Sequence, residues 1–216
     1  MIKIKAVLFD NDGVLAHTER YWFDANCKTL ASMNIPYTRD DFIKHTFTEG
    51  WGTAGWLRRQ GYGEEIIQNF NEQRDALWKR TITSANVTDP HAVDVLLILK
   101  EKYKLAVVTN TGSEDFKLLH WNAGQLLTLF DVMVLREQYK LPKPDPDAYL
   151  TAINTLKLLP SEVVVVEDSP RGITSARRAG VSVIAIRNPD FPDLDLSEAQ
   201  YEIFSLTELP TLISEM

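Results

Sequence analysis

The chain has 216 residues, 44% of them hydrophobic and 25% charged, the composition of a folded protein with room for one large domain or for a core carrying a smaller insertion. Its formal net charge of -7 leaves no basic stripe to displace counterions from a nucleic-acid backbone, but it does not exclude a small anionic substrate. The single cysteine, Cys27, rules out an intrachain disulfide and suits a reducing compartment. The longest apolar runs, VLLIL (95–99) and VVVV (163–166), are far short of a membrane span, and MIKIKAVLFD lacks the long apolar region of a secretory signal. A soluble, cytoplasmic monomer with no membrane or nucleic-acid partner is expected.

In chain order, IKAVLF (4–9) is a strand. It is followed by a stretch with helical patterning only. ERYWFDANCKTLASM (19–33) places Trp22, Ala25, Thr29 and Met33 in line. TRDDFIKHTF (38–47) opens with a capping-box pair, Thr38 and Asp41. GEEIIQNFNEQRDALWKR (63–80) offers Ile66, Ile67, Phe70, Leu77 and Trp78 as an apolar face. Strands then alternate with helices. The helix of 91–103 carries Val93, Leu96, Leu97 and Lys100 at helical spacing, and strands LAVVT (105–109) and DVMVL (131–135) follow. After them come a helix over 145–156, the strand VVVVE (163–167), a helix over 169–180 and the strand VSVIAI (181–186). The helix of 169–180 has Ser169 placed to cap, Pro170 at the first helical position and Gly180 just past its end. β-branched strands alternating with helices predict an α/β fold, a Rossmann-like parallel sheet flanked by helices. The core is expected over residues 1–15 and 85–216, with 16–84 as an inserted α-helical cap domain.

Ligands of such sheets bind outside the carboxyl ends of the strands, and there the chain places its polar residues. Asp10 and Asp12 follow the first strand, Thr109-Asn110-Thr111 the second, and Glu167-Asp168 the fourth, while Lys143 stands among prolines ahead of it. Each has a plainer explanation when taken alone. Asn11-Asp12-Gly13 is a turn former. Asp10, Asp12, Gly13 and Glu19 partly match a calcium loop, although Leu8 occupies its first position. Thr109 is a potential helix cap, Lys143 a solvated loop residue, and Glu167-Asp168 favour a helix N-terminus. Such separate explanations do not account for four signals at the same end of one sheet.

Asp10-x-Asp12-Gly13-Val14-Leu15, Thr109-Asn110, Lys143-Pro144-x-Pro146 and Glu167-Asp168-Ser169-x-x-Gly172 have the order and compatible spacing of four motifs of the haloacid dehalogenase superfamily. The sequence resembles the subgroup with a helical cap after the first motif, that of the β-phosphoglucomutases and phosphoglycolate phosphatases. The resemblance implies phosphoryl transfer through an aspartyl-phosphate on Asp10. Asp12 would act as general acid and then as general base. Mg²⁺ would be held by Asp10, the Asp12 carbonyl and Asp168, with Glu167 nearby. Lys143 and Thr109, with the backbone N–H groups of Asn110 and Thr111, would bind the phosphoryl oxygens.

Asp12 favours a phosphate ester over a carbon–halogen bond, because a departing halide needs no proton. A β-phosphoglucomutase-like mutase is the alternative. It is weakened by Trp22 where such enzymes carry a histidine, and by Gly50-Trp51-Gly52-Thr53 where they carry Gly-x-Ser-Arg. A non-enzymatic phospho-receiver domain fits less well, being shorter and lacking the insertion. A Mg²⁺-dependent phosphatase acting on a small phosphorylated metabolite, a sugar or polyol phosphate, is therefore expected. Glu49, Trp51 between its glycines, and Arg58 are expected to line the substrate pocket, and Arg171 to pair with the neighbouring acids.

Overall fold

The computed structural model describes residues 3–121 and 123–216; Met1 and Ile2, part of the N-terminal segment read above, lie outside them with Asn122. The chain divides into two compact units, Met1–His17 with Val87–Met216, and Thr18–Asn86. In chain order the elements are β1 (Ala6–Phe9), α1 (Glu19–Ser32), α2 (Arg39–Phe42), α3 (Gly52–Arg59), α4 (Glu64–Ile82), α5 (Ala92–Lys100), β2 (Lys104–Val108), α6 (Ser113–Leu119) and β3 (Val132–Val134). They continue with α7 (Asp147–Leu156), β4 (Val163–Glu167), α8 (Pro170–Arg178), β5 (Ser182–Ile186), β6 (Tyr201–Ile203) and α9 (Leu209–Glu215).

The first unit is built on a six-stranded sheet of order β3-β2-β1-β4-β5-β6 with every pair parallel. Alternate side chains of each strand supply its two faces. Val7, Phe9, Leu105, Val107, Val164, Val166 and Ile184 share one buried cluster with Val95, Leu96 and Leu99 of α5 and Leu209 and Ile213 of α9. On the strands' remaining positions Ala6, Leu8, Ala106, Val108 and Val165 are also fully buried; α7 packs on β2 and β3, and α8 on β4 and β5. Two covered faces explain why the strands read as unbroken apolar runs. β6 escapes that pattern: it is an edge strand of three residues with Tyr201 and Glu202 exposed.

The chain order reverses between β1 and β4, so the crevice of this sheet opens at their carboxyl ends. There Phe9 is in register with both Val107 and Val166. The chain leaves this unit and returns to it side by side: the His17 N–H donates to the Val87 carbonyl (2.7 Å) and the Asp89 N–H to the Leu15 carbonyl (2.9 Å).

The second unit is helical. Leu30, Ile35, Leu57, Ile67 and Phe70 form its core, and Trp22 meets Trp78 edge to face with ring centres 5.6 Å apart. Thr38 and Asp41 form the expected capping box, but the helix it starts is α only to Phe42. Ile43–Thr48 widens to a π-helical turn that buries His45 and Phe47.

Two helix faces differ from expectation. In α4 the buried stripe is Ile67, Phe70, Trp78 and Ile82, while Ile66 is exposed; Arg74 completes the stripe with its guanidinium over the Trp22 and Phe70 rings. In α5 the buried face is Ala92, Val95, Leu96 and Leu99, and Leu97 points outward. A helix apolar nearly all round does not reveal its inner face by periodicity. Leu96→Ala should therefore lower the unfolding free energy by about 2–5 kcal/mol and Leu97→Ala by less than about 1 kcal/mol, as measured by urea denaturation.

Candidate active site

The site begins where β1 runs out. The Asp10 N–H donates to the Val166 carbonyl (3.0 Å), which carries the strand ladder one residue past Phe9 and sets Asp10 beside the end of β4. The chain then turns sharply: the Asn11 carbonyl accepts the N–H groups of Val14, Leu15 and Ala16 at 3.3, 2.9 and 3.0 Å. Gly13 serves this turn twice over. Its φ is +74°, and a Cβ there would fall 1.8 Å from Asp168 Oδ2. Only glycine meets both demands.

Lys143 is the centre of the site. Its buried Nζ lies 2.8 Å from Asp10 Oδ1, 2.8 Å from Glu167 Oε1, 2.8 Å from the Val108 carbonyl and 3.0 Å from the Tyr149 hydroxyl. Burial alone would favour the neutral amine. The Asp10 and Glu167 carboxylates outweigh it and hold the Lys143 pKa above its ordinary value.

Glu167 is fully engaged. Oε1 accepts from Lys143 and from the Tyr149 hydroxyl (2.8 Å). Oε2 accepts from the Asp168 and Ser169 N–H groups and from Ser169 Oγ, at 3.2, 3.3 and 3.0 Å. Ser169 Oγ in turn caps α8 by accepting the Gly172 N–H. A Cβ at Gly172 would stand 1.8 Å from Glu167 Oε1, so this glycine makes room for the carboxylate.

Asp10, Glu167 and Asp168 each place a carboxylate oxygen within 4.8 Å of the others. Burial, then Glu167 and Asp12, push Asp10 up to about 7 against the opposing pull of Lys143. Burial, then Glu167 and Asp10, likewise push Asp168 well above the usual carboxylate range, although Asn188 Nδ2 donates to its Oδ2 (3.1 Å). Three buried acids around one ammonium leave surplus negative charge. Their all-oxygen donor set, with Gly13 leaving space at Asp168, fits a hard divalent cation.

A second group sits alongside. Thr111 Oγ1 donates to Asp12 Oδ2 at 2.6 Å, and Thr109 Oγ1 lies 3.3 Å from the same oxygen. The Thr111 N–H, expected at a helix start, instead donates to Thr109 Oγ1 (3.0 Å), and α6 begins two residues later at Ser113. The Asn110 side chain ties the loops together: its Oδ1 accepts the Lys143 N–H (3.1 Å) and lies 2.6 Å from the Tyr139 hydroxyl.

The structure thus brings together Asp10, Lys143, Glu167 and Asp168, and beside them Asp12, Thr109, Asn110 and Thr111. Glu49, Trp51 and Arg58 belong to the helical unit. Glu49 Oε2 is 2.9 Å from His45 Nδ1, the Trp51 ring stacks with His45 and lies under the Arg59 guanidinium, and Arg58 makes an exposed ion pair with Glu64 (2.6 Å), as a solvated helix end does. Arg171 departs from expectation: it takes part in no ion pair among the described residues. Tyr149, Tyr139 and Asn188 are site residues that no local pattern announces.

The chain matches the haloacid dehalogenase-like hydrolases over residues 7–186. It belongs to that family. Among its relatives, hexitol phosphatase A of Escherichia coli is 39% identical over 222 residues, spanning 97% of each chain. The phosphorylated carbohydrates phosphatase of Thermotoga maritima is 32% identical over 190 residues, 84% of each. The crystal structure of CbbY from Rhodobacter sphaeroides, in complex with phosphate, shares the fold with a TM-score of 0.79 at 24% identity, over 95% of this chain and 96% of that one.

The charge imbalance has a consequence for stability. Between its ordinary value of 3.8 and about 7, folded Asp10 retains a proton that the unfolded chain has lost. Stability supplied by that proton is present at low pH and disappears as pH rises through this interval. In chelator, the melting temperature should fall as pH is raised across the interval. Asp10→Asn should flatten the fall, and a divalent cation added above pH about 7 should reverse it.

Proposed function

We propose that the protein is a Mg²⁺-dependent phosphatase that hydrolyses a sugar or polyol phosphate through an aspartyl-phosphate on Asp10. One observation carries the reading: Asp10 Oδ1 lies on the buried Lys143 ammonium at the mouth of the β1/β4 crevice, with the Asp12 carboxylate bound by Thr109 and Thr111 two residues on. The names of the two phosphatase relatives, one for a hexitol and one for phosphorylated carbohydrates, support the substrate class.

In this reading an Asp10 oxygen attacks phosphorus and the ester P–O bond breaks. The departing alkoxide takes the proton of Asp12. Water then attacks phosphorus and gives a proton to Asp12, the bond from phosphorus to Asp10 breaks, and inorganic phosphate leaves. Lys143 balances charge on Asp10 and on the incoming phosphoryl oxygens. Asp10, Asp168 and the Asp12 carbonyl would hold the Mg²⁺, which when bound would supply positive charge against the phosphoryl oxygens. Glu167, with both oxygens occupied, fixes Lys143 and the start of α8.

The helical unit, residues 18–86, is assigned the role of a cap that selects the alcohol part of the ester. The mutase reading is less favoured because Thr53, where a phosphate-gripping element would need its arginine, is buried with its hydroxyl 3.2 Å from that of Tyr37.

The test is a screen of hexitol, sugar and glycolate phosphates with Mg²⁺. Turnover should vanish with chelator, and Asp10→Asn should lower kcat by more than the roughly 10²–10³-fold cost of removing one electrostatic donor. Full activity in Asp10→Asn would refute the covalent route. Trp51→Ala should alter the relative kcat/KM values across the panel; unchanged ratios would remove Trp51 from substrate selection.

A further inference from the structure

The geometry points to His120 as a positioning residue that acts through Asn11 to hold the Asp12 carboxylate in its working orientation. The inference rests on the reading of Asp12 as the proton donor to the leaving group. His120 closes α6 and is buried, with Nε2 2.6 Å from Asn11 Oδ1, across more than a hundred residues of sequence. On its other side the Asn11 amide nitrogen lies 3.3 Å from Asp12 Oδ2, the oxygen that Thr111 and Thr109 also approach.

The direction of the relay follows from donor chemistry. The Asn11 amide turns its NH₂ toward Asp12 Oδ2 and its carbonyl, which only accepts, toward the imidazole. The imidazole must then carry its hydrogen on Nε2. Burial pushes His120 down to about 4, so the ring is neutral and this single tautomer persists through the neutral range. Among the described residues its buried Nδ1 has no partner, so the one polar bond the ring makes among them is the one to Asn11.

The Asn11 main chain is itself immobilised by the N–H groups its carbonyl accepts in the turn. The relay therefore runs from α6 through a fixed amide to the carboxylate. Removing the imidazole frees the amide to rotate, and Asp12 loses one of the groups that set its rotamer. Proton transfer to the leaving group depends on that orientation, whereas Asp10 attack does not.

A purely structural tie between α6 and the β1 turn would affect all substrates alike. The experiment measures kcat/KM for a series of substituted phenyl phosphates of increasing leaving-group basicity, in the Mg²⁺-loaded protein, because kcat/KM reports the step that expels the leaving group. His120→Leu should lower kcat/KM for the most basic leaving groups on the order of ten- to a hundredfold more than for p-nitrophenyl phosphate. His120→Gln, which restores an N–H donor, should recover most of the loss. Asn11→Ala, which leaves α6 untouched, should show the same selective loss, and His120→Leu should add nothing to it. An equal loss across the series, or none, would overturn the inference. Asp12→Asn serves as the reference: if it too lacks the leaving-group dependence, the role of Asp12 fails first. If only the His120 and Asn11 variants lack it, the relay alone fails.

Discussion

The ammonium of Lys143, buried between Asp10 and Glu167, is the interaction on which the rest of the site depends. Burying a charge is costly unless it is paired and hydrogen-bonded. Here both carboxylates, the Val108 carbonyl and the Tyr149 hydroxyl surround it. The pairing is also incomplete: Asp168 joins the same cluster, and among the described residues no second ammonium pairs with it. Burial, and then each acid's charge on the others, raises the proton affinities of Asp10 and Asp168, and the resulting cluster of carboxylate oxygens has the chemistry of a divalent-cation site.

The sheet supplies the convergence. Because the strand order reverses at β1 and β4, the ends of these neighbours open into one crevice. Their register puts Asp10 one step beyond Phe9 and Glu167 one step beyond Val166, its partner. Lys143 comes from a loop that Asn110 secures, and Asp168 is admitted because Gly13 has no Cβ. Each site residue thus depends on a neighbour whose own chemistry is unremarkable: a glycine that leaves space, an amide that ties two loops, a tyrosine that donates to Glu167.

Much of this was legible in the chain. β-branched runs ending in polar residues gave away the parallel α/β core, and Ser169, Pro170 and Gly180 bounded α8 as their chemistry requires, with Gly180 at φ +79°. The strand ends pointed to Asp10, Asp12, Thr109, Glu167 and Asp168 because polar residues there have a shared destination, and Lys143 stood out among its prolines. Other features had no local signal. Tyr201-Glu202-Ile203 is too short for alternation to declare a strand. Ile66 and Leu97 looked interior in helices where neighbouring positions are equally apolar. Tyr149, Asn188 and His120 are an aromatic in a helix, an amide in a loop and a histidine at a helix end. Their meaning exists only once tertiary structure brings them to Glu167, Asp168 and Asn11. Arg171 shows the converse, a cation adjacent in sequence to acids with which, among the described residues, it forms no ion pair.

The central claim is that Asp10 itself takes the phosphoryl group. It is tested most directly by rapid acid quench of Asp12→Asn after mixing with p-nitrophenyl phosphate radiolabelled at phosphorus, whose leaving group departs without a proton from Asp12, followed by peptide mapping. With the base for the hydrolytic step removed, label should accumulate on the peptide containing Asp10 and be released by hydroxylamine, as an acyl phosphate is. Labelled phosphate appearing without any protein-bound label, or label on a different residue, would contradict the account.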